Sequence, residues 1–306
     1  MGLRFWDMAD VYRDSESLVG EWVKRSGKRD EVFIATKFGL QRQEDGRHTF
    51  RSDPAYVRLA CEKSLERLGP GVDCIDLYYC HRVDGVTAIE RTVEAMVELK
   101  NQGKINHIGL FEVSPNTLRR AHTIHPISAI QMEYSLFTLD IESPSSNILR
   151  TARELGVTVV AYSPIGRGIL TGQFQSAADL PRGDLRGMYP KYAQANFGGI
   201  MRVVGGLMGV GRGHSHSGRE GDGTRTVVTP AQVALAWLLA QGEDIIPIPG
   251  TKSVKMIDEN VAAARIEWTG EEVKEIRELA EQAEIQGTRY PAAVMATLCL
   301  DTPPLE

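Results

Sequence analysis

The sequence predicts an α/β protein built as a (β/α)8 barrel, and two observations carry that expectation. Short apolar, β-rich runs alternate with helical stretches along nearly the whole chain, as parallel βαβ units require. Polar side chains suited to chemistry follow several different strands. That suits the rim of a barrel, whereas an open sheet gathers its ligand groups at one switch point.

Each element has its own justification. Residues 3–6 read as the first strand. Residues 15–26 read as a helix, with Ser15 as its cap and Leu18, Val19, Trp22 and Val23 as an apolar stripe. A strand follows at 31–36. Residues 53–68 are helical because Val57, Ala60, Cys61, Leu65 and Leu68 recur at steps of three and four, with Ser52 as cap, Pro54 in the first turn and Gly69-Pro70 as the stop. Strands at 75–80, 105–111, 127–132, 158–162 and 245–248 alternate with helices at 89–102, 115–122, 146–155, 230–240 and 254–264. Seven strands result, and a closed barrel of this class needs eight.

One segment breaks the alternation. Ten of the 30 glycines fall between Gly198 and Gly223. A glycine costs about 1 kcal/mol relative to alanine inside a helix, so a flexible insertion near 198–224 is expected. No strand leads into it and no Gly-Lys-Ser/Thr closes it, which argues against a phosphate loop. His214 and His216 have no obvious partners for a metal, and no metal is expected.

Composition narrows the class of function. The 306 residues are 42% hydrophobic and 25% charged, enough for a sizeable core and read as one domain over 1–306. A net charge of −5 provides no general attraction to nucleic acid or anionic lipid, and small-molecule chemistry is the expectation. Cys61, Cys74, Cys80 and Cys299 show neither CxxC spacing nor a disulfide framework, which suits a reducing cytoplasm. No apolar run approaches the roughly 18 residues of a membrane span, and the charged start is no signal peptide.

Four polar residues stand at or just beyond strand ends: Asp7, Tyr12, Lys37 and His81. A phenol is a poor proton donor or acceptor at neutral pH unless a cation lies near it. An ammonium at about 4 Å favours the phenolate by about 4 kcal/mol at an effective dielectric near 20, before desolvation. Lys37 is placed to supply that charge, Asp7 to hold the lysine, and His81 to bond a substrate oxygen. Together they suit protonation of a carbonyl oxygen as hydride reaches its carbon. Taken singly, each reads more readily as a loop, turn or structural residue, and it is the four together that point to catalysis.

A hydride needs a cofactor, and no Gly-x-Gly-x-x-Gly opens a helix after an early strand. Two later segments are candidates. Tyr162, Ser163, Pro164, Ile165, Gly166, Arg167 and Gly168 leave a strand with an aromatic face for a flat ring and glycines that let a pyrophosphate approach the backbone. Residues 248–254 leave the last strand and open a helix, where amide groups, Lys252 and Ser253 could meet a phosphate.

These residues carry a resemblance to the aldo-keto reductases, in particular to the pyridoxal-reductase-like members of bacteria and fungi. The matching blocks are residues 5–12, 34–39, 76–84, 103–105 with 108–110, 131–135, 161–172 and 246–260, in order along nearly the whole chain. The resemblance implies an α/β barrel that binds NADP(H) without a Rossmann motif. It implies Tyr12 as proton donor, with Asp7, Lys37 and His81 completing a tetrad, and a small-molecule carbonyl as substrate. It further implies that Gln131 holds the carboxamide and Tyr162 stacks on the nicotinamide. Ser163, Pro164, Ile165, Gly166 and Gly168 would wrap the pyrophosphate, Lys252 and Ser253 would meet the 2′-phosphate, and Glu259 and Asn260 the adenine. Phe111 stands where the family usually has serine, and residues 5–7 match the family's second strand, so the first βα unit is expected to be lacking. These departures support the alternative of a non-catalytic binding or regulatory relative, or an inactive truncated product.

Overall fold

The computed structural model describes residues 2–43, 48–217 and 225–305. In chain order the first elements are β1 (Phe5–Asp7), α1 (Ser15–Ser26), β2 (Phe33–Phe38), a hairpin of β3 (Leu40–Arg42) and β4 (His48–Phe50), and α2 (Pro54–Leu68). Then come β5 (Ile75–Cys80), α3 (Ile89–Asn101), β6 (Ile105–Phe111), α4 (Pro115–Ile124), β7 (Ala129–Glu133), α5 (Ile148–Glu154) and β8 (Thr158–Tyr162). A run of short 3-10 turns leads to α6 (Phe197–Arg212), a hairpin of β9 (Ser215–Ser217) and β10 (Arg225–Val227), α7 (Pro230–Leu239), β11 (Ile245–Pro247), α8 (Val254–Ala262) and α9 (Gly270–Glu281).

The main sheet has seven strands in the order β1-β2-β5-β6-β7-β8-β11, which is chain order once the two hairpins are set aside. From β1 to β7 each neighbouring pair is parallel. Strand, helix, next strand alongside is the repeat that the alternating sequence pattern predicted, and the strand number matches the seven expected. Because all these strands run the same way, their C-terminal ends deliver Asp7, Lys37 and His81 to one edge of the sheet.

By contacts the chain divides into two compact units. One comprises Gly2–Met132, Pro144–Val159 and Leu298–Glu306, and the other Glu133–Ser143 and Val160–Thr297. The first has a core of strand residues such as Ile34, Ala35, Tyr78, Ile108 and Ile130, all with 0% exposure. Its register is set early, with Phe5 opposite Phe33 and their rings stacked 5.5 Å apart. The C-terminal segment belongs to this unit: Leu300 bridges to Val113, and the Ile89 amide donates to Thr302 Oγ1 at 3.2 Å. In the second unit α7 is apolar on every side and buried along nearly its whole length. Thr229 and Gln232 cap it reciprocally, and the Trp237 indole donates to the Val273 carbonyl at 3.1 Å.

Three expectations are corrected. The cap of α2 is Asp53, whose side chain accepts from the Tyr56 amide at 3.0 Å, while Ser52 Oγ accepts from the Asp84 amide. Pro54 occupies the first helical position, so the residue directly before it caps the helix. Ser15 lies inside α1, after Asp14, and caps nothing. The glycine-rich stretch, expected to be a flexible insertion, forms the 16-residue helix α6 as far as Arg212. Residues 218–224 of that stretch lie outside the described residues. Its glycines allow close packing: a Cβ at Gly211 would stand 2.2 Å from the Val228 carbonyl oxygen, and one at Gly199 would stand 2.5 Å from that of Ala283. Apolar burial of Phe197, Ile200, Val203, Val204 and Leu207 offsets the propensity cost.

Among the described residues no helix is long and apolar enough to cross a membrane, and no His, Cys, Asp or Glu group could hold a metal ion. All four cysteines are free.

Candidate active site

Asp7 ends β1, Lys37 is the penultimate residue of β2, and His81 follows β5 directly. Tyr12 arrives on the loop after β1, which is tied to β2 by bonds from the Met8 amide to the Ala35 carbonyl and from the Asp10 amide to the Lys37 carbonyl, at 2.9 and 3.1 Å. Lys37 is fully buried, and its ammonium is fixed by an ion pair with Asp7 Oδ1 and by donation to the Met8 carbonyl at 2.8 Å. A buried ammonium persists only where such partners satisfy it. Held there, Lys37 Nζ lies 5.1 Å from the centre of the Tyr12 ring. The other Asp7 oxygen, Oδ2, accepts from Gln131 Nε2 at 2.8 Å.

His81 stands edge-on to Tyr12, with ring centres 5.9 Å apart and planes at 87°. It is 4% exposed, and its Nδ1 has no hydrogen-bond partner among the described residues. Burial first, then the charges of Lys37 and Arg82, hold the imidazole pKa well below its ordinary value, so the ring is neutral at physiological pH. A neutral imidazole carries one N–H, the donor a carbonyl oxygen needs. Tyr12 contrasts with its neighbours at 46% exposure: the phenol is reachable while the groups around it are not.

Phe111, at the end of β6, packs against His81 with ring centres 4.9 Å apart, and the Arg82 guanidinium lies 4.5 Å from the centre of the Phe111 ring. The bulky ring thus packs against His81 and leaves the tetrad's internal bonds intact.

The second unit contains the remaining candidates. Ser163, Gly166, Arg167 and Gly168 all take positive φ, at 51, 57, 57 and 86°. The loop folds tightly on itself, with the Gly166 amide donating to the Ser163 carbonyl at 2.9 Å and the Gly168 amide to the Ile165 carbonyl at 3.1 Å. The Tyr162 hydroxyl accepts from Arg289 at 2.8 Å and lies 3.4 Å from that of Tyr290. Arg167 is paired with Glu133 at 3.1 Å and lies 4.5 Å from the ring centres of both Tyr189 and Tyr290. Lys252 and Ser253 are exposed before α8, and Ser253 takes its N-cap position without a side-chain bond. Glu259 accepts from Thr229 Oγ1 at 2.6 Å, while Asn260 lies in the last turn of α8.

Asp7, Tyr12, Lys37, His81 and Gln131 are therefore gathered in one unit, and Tyr162 to Gly168 with Lys252, Ser253, Glu259 and Asn260 belong to the other. The sequence reading missed Asp10, Glu133 and Arg289. Asp10 was hidden in the run that carries Asp7 and Tyr12, and Arg289 follows no strand or periodic helix that would have marked it.

A parallel sheet in chain order, with a phenol, a buried ammonium, a carboxylate and an imidazole at the strand ends, defines an α/β-barrel enzyme of the oxidoreductase type. The chain belongs to the aldo/keto reductase family, whose model matches residues 1–281. It is 51% identical over 304 residues to the aldo-keto reductase str7 of Strobilurus tenacellus, covering 99% of this chain and 84% of that one. It is 43% identical over 308 residues to the aldo-keto reductase yakc [NADP(+)] of Schizosaccharomyces pombe, covering 100% of this chain and 86% of that one. Among solved structures it resembles a glycerol dehydrogenase from Gluconobacter oxydans at 26% identity and a TM-score of 0.79, over 94% of this chain and 84% of that one.

Proposed function

We propose that this protein is an NADP(H)-dependent oxidoreductase that reduces an aldehyde or ketone to the alcohol, with Tyr12 as the proton donor. The observation that carries this reading is the buried Lys37 ammonium, locked by Asp7 and the Met8 carbonyl and held 5.1 Å from the Tyr12 ring centre. A cation fixed beside the phenol stands near where negative charge develops as the proton is given up. His81 donates a hydrogen bond to the carbonyl oxygen and aligns it with the Tyr12 hydroxyl. Asp7 keeps Lys37 in position, and Gln131 holds Asp7 from its other oxygen.

The donor set fits the dinucleotide. The loop of Ser163, Gly166, Arg167 and Gly168 is assigned to the pyrophosphate, its glycines admitting close backbone approach, and the exposed Lys252 with Ser253 suits a further phosphate, which favours NADP(H) over NAD(H). Pro164 and Ile165 belong to the same loop, Tyr162 offers a face for the nicotinamide, and Gln131 an amide for its carboxamide. Glu259 and Asn260 are assigned to the adenine. When bound, the reduced nicotinamide supplies the hydride for the carbonyl carbon.

The whole chain, 1–306, serves this activity as a single catalytic domain, with the cytoplasm as its compartment, as its four free cysteines suit. Its substrate is a small carbonyl compound, and neither nucleic acid nor membrane is a partner. The test is NADPH consumption by the purified protein over a panel of aldehydes and ketones, compared with Tyr12→Phe. The variant is expected to lose turnover by roughly 10²-fold or more while its NADPH dissociation constant stays within about twofold. Turnover that survives in Tyr12→Phe removes Tyr12 from this role, and tight NADPH binding with no turnover by the parent chain favours the non-catalytic alternative.

A further inference from the structure

Among the described residues no hydrogen bond to Nδ1 aims the His81 ring, although the backbone of this residue is fixed. Its amide donates to the Phe38 carbonyl at 2.7 Å, and its own carbonyl accepts from Arg82 at 3.2 Å. An imidazole at a reacting centre is ordinarily oriented by a hydrogen bond at its second nitrogen. With Nδ1 buried and unbonded, orientation falls to what packs against the ring. Two aromatic rings do so: Tyr12, with centres 5.9 Å apart, and Phe111, with centres 4.9 Å apart and planes at 62°. Tyr12 is half-exposed on a loop, whereas Phe111 ends β6 and is 5% exposed, so Phe111 is the fixed neighbour of the two.

Phe111 is itself backed. The Arg82 guanidinium lies 4.5 Å from its ring centre while bonding the His81 carbonyl, so residues 81, 82 and 111 close on one another. A cation near an aromatic face is attracted to it, and edge-to-face rings gain beyond their burial, so each contact resists movement of the next. The contacts run from Arg82 to Phe111 to His81 to Tyr12 and on to Lys37, whose Nζ lies 5.1 Å from the Tyr12 ring centre. A displacement of about 1 Å in a reacting group can cost on the order of 10²-fold in rate, so the angle of the His81 ring matters to the chemistry. We infer that Phe111 is the positioning residue for His81: its ring, backed by Arg82, holds the imidazole edge-on to Tyr12, where it bonds the carbonyl oxygen that Tyr12 protonates. This rests on the assignment of Tyr12 and His81 to proton transfer.

Phe111→Leu keeps an apolar side chain and removes the ring. It is expected to lower kcat for carbonyl reduction by roughly tenfold while the NADPH dissociation constant stays within about twofold. Phe111→Tyr restores a ring and is expected to stay within about threefold of the parent kcat, which a merely space-filling role would not predict. Nuclear Overhauser contacts between the ring protons of His81 and Tyr12 give a second readout that needs no turnover. They are expected in the parent and in Phe111→Tyr and are expected to be lost in Phe111→Leu. Where Phe111→Leu does not fold, Phe111→Met takes its place under the same expectations. A His81–Tyr12 contact that persists in the folded apolar variant overturns the inference, as does an unchanged kcat in that variant or an equal loss of kcat in Phe111→Tyr. If the parent itself reduces no carbonyl, the proton-transfer reading has failed, and the ring contact alone decides whether Phe111 orients His81.

Discussion

Asp10 shows how a single residue near the tetrad couples burial to pH. Its Oδ1 is buried without a hydrogen-bond partner among the described residues, and its pKa is raised to about 7, by burial first and then by the nearby Glu16 charge. The unfolded chain ionises this carboxyl near its ordinary value of 3.8, so between those two values the native state holds the extra proton. Stability must therefore fall as pH rises across that window and the penalty must level off above it. Asp10→Asn, which needs no ionisation, is expected to melt at a higher temperature than the parent at pH 8 and at nearly the same temperature at pH 4. Thermal denaturation followed by circular dichroism at the two values checks this, and an equal difference at both pH values rejects it. Asp7, Tyr12, Lys37 and His81 were readable in the sequence because strand periodicity marks strand ends. Asp10 was not, because burial of a loop carboxylate depends on what packs over it.

At the scale of elements, α6 is where propensity and packing disagree. Gly211 is held by the close approach of the Val228 carbonyl, whereas a Cβ at Gly205 would meet nothing within 4 Å. Two alanine substitutions in one helix should thus have opposite signs. Gly205→Ala is expected to stabilise by about 0.5–1 kcal/mol, the ordinary helical preference of alanine over glycine. Gly211→Ala is expected to destabilise by roughly 1–3 kcal/mol, because backbone must move to admit the methyl group. Urea denaturation of the two variants distinguishes them, and equal effects would show that the glycines do not serve packing. The sequence reading used composition alone for this stretch and called it an insertion. It also passed over α9, although the capping box of Thr269 and Glu272 that starts this helix is visible as Thr-x-x-Glu.

At the scale of the whole molecule, the end of the chain completes the unit in which the chain begins. Arg120, paired with Glu90, donates to the Thr302 and Pro303 carbonyls at 2.7 and 2.6 Å, and Asp301 accepts from the Ser114 side chain at the start of α4. Nearly 200 residues separate these partners, so the contacts close only after the intervening chain is made. A chain ending at Thr297 would leave the Ile89 amide without Thr302 and Arg120 without two of its acceptors. Buried donors without partners cost about 1–3 kcal/mol each. The shortened protein is expected to melt several degrees lower, with the loss read from calorimetry of the two chains; an unchanged transition would mean the segment is a passive tail.

The sequence by itself determined the seven strands of the main sheet, their parallel arrangement and the placing of Asp7, Lys37 and His81 at strand ends. Alternating periodicities and residues at strand ends are local signals that survive without a third dimension. Tertiary structure decided the rest: that α6 is a helix in spite of its glycines, that Gln131 holds Asp7, that Arg289 reaches Tyr162 and that the last residues fold back on α3 and α4. Each of these depends on partners far away in the chain, and their free energy comes from burial and satisfied polar groups that no local pattern records.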